Sequence, residues 1–187
     1  MVHFNELKYN QNKTCLIIDV AVNDGEWYDD VFINSIAIDN QNTFTANGPS
    51  STPIFTYSVP ESQEEKHIVI EVPVSMYSIN PQKDMLFVYI TTKGNPDSEI
   101  PCGCDVRQIM GTVVDLQGIY GNMLQYIKEV GNTCIVPADF IDSILKYKAL
   151  DLYIKTGNYP MAIKYWNKYI VDSITNISNF KTCRCNG

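Results

Sequence analysis

Four of the six cysteines fall into two C-x-C pairs, Cys102-Gly103-Cys104 and Cys183-Arg184-Cys185, and four thiolates suffice for a tetrahedral zinc site. Such a site would staple the C-terminal tail to the middle of the chain. Zinc ligands more commonly come from pairs separated by about two to four residues, and a single intervening residue constrains the bite. The alternative is a set of reduced thiols, those in the tail open to oxidation. Cys102 or Cys104 could also act as a nucleophile with His67 as base and Asp105 as orienter, which would make the protein a cysteine-dependent enzyme. Only His3 and His67 are available for any histidine-dependent step. His67 shares the polar face of its segment with Glu71, where a solvated surface pair is the commoner arrangement.

Asp24, Glu26, Asp29 and Asp30 cluster as hard-cation ligands do, but their spacing matches no EF-hand and reads as a solvated turn. No G-x-x-x-x-G-K-[ST] loop, G-x-G-x-x-G turn, G-x-S-x-G elbow or H-E-x-x-H helix occurs. Nucleotide-driven and familiar hydrolytic chemistries therefore lose their usual support.

The elements that would position these residues must come from a chain of 187 residues, long enough for one core of ordinary size with an extension. Hydrophobic residues make up 45% and charged residues 19%, so enough apolar surface is available to offset the entropy of ordering. A net charge of −7 supplies no basic stripe for a phosphate backbone, which argues against sequence-specific nucleic-acid binding. No apolar run approaches the roughly 20 residues of a bilayer span, and the polar opening MVHFNELKYNQNKT contains no signal-peptide core. The expectation is a chain made in the cytoplasm, with no membrane partner and its cysteines as thiols.

Residues 14–22 place Leu16, Ile18, Val20 and Val22 on one face, the pattern of a half-buried strand. Residues 28–39 resume a β-type pattern, and the intervening Asp24-Gly25 predicts a hairpin, so that two paired antiparallel strands open the fold. Residues 40–53, rich in Asn, Ser, Thr, Gly and Pro, read as a long exposed loop. A short strand at 54–58, a charged turn at 60–66, an alternating strand at 66–72 and a strand at 84–92 that is apolar on both faces complete the β-rich part.

After the loop KGNPDSEIPCGCD the character becomes helical, with a first helix expected near 115–130. Pro137 and Asp139 suit a helix start, and Ile141, Ile144, Leu145, Ala149 and Leu152 recur at helical spacing until Gly157-Asn158. Ala162, Trp166, Tyr169 and Ile170 form the apolar face of a further helix starting near Pro160. This hairpin looks like one tetratricopeptide unit, but a single copy cannot build a solenoid. The fold class is therefore α+β: an antiparallel β-sandwich-like sheet over 1–104, a helical hairpin or three-helix segment over 105–174, and a cysteine-containing tail over 175–187.

Taken in order, LIIDVAV, YDDVFINSIAID, TANGPSSTPIFTY, LFVYITTKGNP, PCGCD, IYGNMLQYIKEV, ADFIDSILKYKALDLYIKTGNY, AIKYWNKYI and CRCNG run through nearly the whole chain. This layout resembles small virion structural proteins of crAss-like bacteriophages. The resemblance implies a ring-forming component between portal and tail, a head-to-tail connector or tail protein, with auxiliary capsid and tail-hub positions also open. It implies homo-oligomeric ring neighbours and contacts with the portal and adjacent ring or tail proteins. It calls for no active site and no cofactor. Asn47, Gly48, Pro49 and Ser50 in the loop, and Tyr159, Trp166 and Tyr169 in the helix pair, are the candidate contact residues, with the loop expected to order only against a neighbour. An acidic ring lumen would repel passing DNA. The rival readings are a zinc-stapled intracellular binding module held by Cys102, Cys104, Cys183 and Cys185, and the cysteine-dependent enzyme.

Overall fold

Alternation of apolar and polar residues dictates strands wherever one face can be buried, and the computed structural model shows seven of them among the residues it describes. It describes residues 2–23, 31–94, 108–115 and 149–171. In chain order the strands are β1 (Val2–Tyr9), β2 (Cys15–Val22), β3 (Val31–Asn40), β4 (Phe55–Ser58), β5 (His67–Pro73), β6 (Leu86–Gly94) and β7 (Gln108–Val113). They form two antiparallel sheets, one of order β1-β2-β5 and one of order β4-β3-β6-β7. The chain divides into two units, Met1–Val113 and Val114–Gly187.

The expected core faces pack together inside the first unit. Leu16, Ile18, Val20, Ile68 and Val72 from one sheet join Ile33, Ile36, Ile38, Leu86, Val88 and Ile90 from the other in a single apolar cluster. Each such side chain contributes about 1.5–3 kcal/mol when fully withdrawn from water, so this layer dominates the stability of the body. Two irregularities in register serve that layer. In β3 the shift between Ile33 and Ser35 lets Ile33 and Ile36 face the same core despite their odd spacing. In β1 the shift between Phe4 and Glu6 does the same for Phe4 and Leu7.

The expected hairpin between 14–22 and 28–39 does not form. β2 pairs with β1 and β5, β3 pairs with β4 and β6, and the two strands lie in different sheets. The reason is that both edges of β2 are already occupied. The sheets are stitched instead at residues 65 and 66, where the Ile33 N–H donates to the Glu65 carbonyl (2.8 Å) and the Val22 N–H to the Lys66 carbonyl (2.8 Å). Lys93 secures the adjoining turn by donating to the carbonyls of Gln63 (2.9 Å), Glu61 (3.1 Å) and Pro60 (3.5 Å). At the far side Gly111 of β7 lies against Leu7 and Phe4 of β1, closer than any side chain would allow. Because β7 pairs with β6, the β body runs through Val113, whereas the sequence reading ended it at 104.

In the second unit residues 149–155 are helical and form α1. It closes as a Schellman motif: the Asn158 N–H reaches the Tyr153 carbonyl (2.9 Å), the Gly157 N–H reaches Ile154 (3.1 Å), and Gly157 takes φ +71°. α2 (Tyr159–Tyr165) starts with Pro160 in its first turn and continues as π-helical turns over Trp166–Val171. Tyr153 and Tyr165 meet with ring centroids 5.2 Å apart, so the chain folds back on itself as a helical hairpin, as its spacing predicts. The helix expected at 115–130, the start of α1 and the tail lie outside the described residues.

Candidate functional site

The segment 41–50 is built from one aspartate upward. At the end of β3, Asp39 is fully buried and sits opposite Phe87 in the register with β6. A carboxylate removed from water must find donors within the fold. Asp39 finds them in Ser50, whose N–H donates to Oδ2 (2.9 Å) and whose hydroxyl donates to Oδ1 (2.5 Å). The chain between them is thereby drawn across the outer face of β3 and β6.

Each step of this loop has a holding contact. Asn40 starts it, its Oδ1 accepting from the Asn42 N–H (2.9 Å) and its carbonyl from the Phe44 N–H (2.9 Å). Gln41 clasps the segment before β6, its Oε1 accepting from the Met85 N–H (2.9 Å) and its Nε2 donating to the Lys83 carbonyl (3.3 Å). Phe44 lays its ring on Phe87, with centroids 4.4 Å apart. The Tyr89 hydroxyl donates to the Thr45 carbonyl (2.8 Å), and burial, more than any neighbouring charge, pushes that phenol above its ordinary pKa. The Thr45 hydroxyl donates to the Gly48 carbonyl, with Gly48 at φ +135°.

The loop is thus ordered by its own body, not by a neighbour as the sequence suggested. Of the candidate contact residues, Asn47 and Pro49 stand exposed at its crest, Gly48 is buried and Ser50 is committed to Asp39. In the second unit Tyr159 is half-buried and Trp166 is fully buried, while the side chain of Tyr169 lies outside the described residues. Asp39, Gln41 and Tyr89 went unnoticed in the sequence, and the one usable signal was a carboxylate at the end of an otherwise apolar run.

The opposite sheet carries a polar cluster on its outer face. Asp19 Oδ1 accepts from Asn5 Nδ2 (2.8 Å) and from His67 Nε2 (2.9 Å), which must carry the proton because an ionised carboxylate only accepts. The Asn5 amide, the largest influence, holds the Asp19 carboxyl below its ordinary pKa; burial opposes it, and His67 and His3 add smaller lowering effects. His67 is therefore engaged within the sheet. Cys102, Cys104, Asp105, Cys183 and Cys185 lie outside the described residues, as do Asp24, Glu26, Asp29 and Asp30. Among the described residues no three His, Cys, Asp or Glu side chains converge as metal ligands. Nor is any described helix long and apolar enough to cross a membrane.

Comparison with known proteins gives one family and one close relative. The family model of the Crassvirus tail hub protein A matches residues 2–186. The Tail hub protein A of Bacteroides phage crAss001 is 40% identical, the alignment covering 100% of this chain and 100% of that protein.

Proposed function

We propose, from the premise that this chain belongs to the Crassvirus tail hub protein A family and is a structural component of the phage tail, that it works by protein–protein contact among ring-forming copies. A tail hub protein interacts with other virion proteins, and a role of this kind calls for surfaces held in place, with no reacting group. In this reading the copies close around the tail axis and meet the portal side and the adjacent ring or tail proteins.

The observation that carries the reading is the tethered loop. Asn47 and Pro49 project from a segment pinned by Asp39, Phe87 and Tyr89, so little conformational freedom remains to be lost when a neighbour docks. The helical hairpin offers a second surface, with Tyr159 at the start of α2. The acidic balance of the chain, −7, suits a lumen through which DNA passes without sticking.

Cryo-electron microscopy of intact virions tests this directly. The expected density is a closed ring of this chain within the tail, with the crest of the 41–50 loop against another protein. A solitary subunit, or a loop facing solvent in every copy, would reject the reading.

A further inference from the structure

Strand β5 has one hydrogen-bonding neighbour among the described residues, β2, and no described strand pairs with its other edge. The backbone bonds at its two ends define which groups face that edge. The Val22 N–H donates to the Lys66 carbonyl (2.8 Å) and the Val74 N–H donates to the Thr14 carbonyl (3.0 Å). Because backbone direction alternates along an antiparallel ladder, Ile68, Ile70 and Val72 turn toward β2 as well. His67, Val69 and Glu71 therefore aim their N–H and C=O groups outward, while their side chains stand on the exposed face of the sheet. Val69, at the centre, is 57% exposed. An edge of this kind is a template for another strand.

We propose that it pairs with the same edge of a second copy of this chain, antiparallel about a two-fold axis at Val69. Charge selects both occupant and register. Centred there, His67 lies across from the partner's Glu71 and Glu71 lies across from the partner's His67, with Val69 against its own counterpart. Moving the axis to Ile68 would instead set His67 against the partner's Val69. The product is one sheet of order β1-β2-β5-β5-β2-β1 across two copies, in which the outward N–H and C=O groups of residues 67, 69 and 71 gain partners. A two-fold contact joins copies in pairs and leaves any ring to other faces, so the pairing stands apart from the ring reading above.

Sedimentation over a wide range of protein concentration, combined with hydrogen exchange resolved to single amides, tests the pairing. The expected result is a reversible dimer in which the amides of His67, Val69 and Glu71 exchange slowly, and lose that protection on dilution. Val69→Pro removes the central outward N–H, which an edge strand tolerates, and is expected to weaken dimerisation roughly tenfold or more with an unchanged circular dichroism spectrum. Glu71→Lys, which sets a lysine against the partner's His67, weakens it as well. A chain that stays monomeric at every concentration, or a dimer indifferent to both variants, overturns the proposal. Protection of these amides only after another tail protein is added overturns it too, since the edge would then belong to that protein.

Discussion

Asp39 and Ser50, 11 residues apart, are joined twice, one carboxylate oxygen receiving the serine N–H and the other its hydroxyl. That pair of hydrogen bonds to a buried carboxyl group is the fastening on which the 41–50 loop depends. Ser50→Ala keeps the N–H and loses the hydroxyl, a charge-assisted bond, and is expected to lower stability by about 1–2 kcal/mol in urea denaturation. Asp39→Ala should cost more, because it strands both serine donors and empties a buried position.

Gly111 is the tightest point between β7 and β1. A methyl group there would sit 2.4 Å from Leu7 Cδ2 and 2.8 Å from the Phe4 ring. Gly111→Ala is therefore expected to destabilise the β body by about 1–3 kcal/mol. Leu7→Ala introduced into that background should cost less than in the wild type, and a double-mutant cycle measures the coupling.

The acid limb of stability should carry the mark of Asp19. Its carboxyl is held below the ordinary value in the folded state, so the stability it contributes is full above the unfolded carboxylate pKa of about 3.9 and is lost as pH falls through the folded value. Asn5→Ala removes the largest cause and is expected to move the Asp19 titration upward, read by NMR of the carboxyl carbon. Its acid denaturation midpoint should rise in step.

Gly157 ends α1 at φ +71° with no heavy atom within 4 Å of where a Cβ would stand. The cost of Gly157→Ala is then conformational alone, about 1 kcal/mol, and Gly157→Asn should cost less because asparagine tolerates the left-handed region. Thermal unfolding of the two variants compares them.

Much of the β body was legible because burial imposes periodicity. β2 and β5 alternate cleanly, β6 is apolar on both faces because the core shared with the other sheet covers one and the 41–50 loop lies over the other, and Gly157 announced its helix end. β1 was not legible: its register shift between Phe4 and Glu6 breaks the alternation, and only Val2 in it is buried outright. The false hairpin at Asp24-Gly25 shows that a turn signal reports a change of direction and says nothing about which sheet receives the next strand. The loop at 41–50 was misjudged because polar composition is the same for a free segment and a fastened one; Phe44 and Asp39 decide between them.

The place of β6 in its sheet also has a mechanical side. Flanked by β3 along nine residues and by β7 along six, it is gripped from both sides by antiparallel rungs. A pull along its axis would load those rungs simultaneously, in shear, whereas a short outer strand such as β4 peels rung by rung. The subunit would therefore yield first at its margins and keep its middle intact under strain.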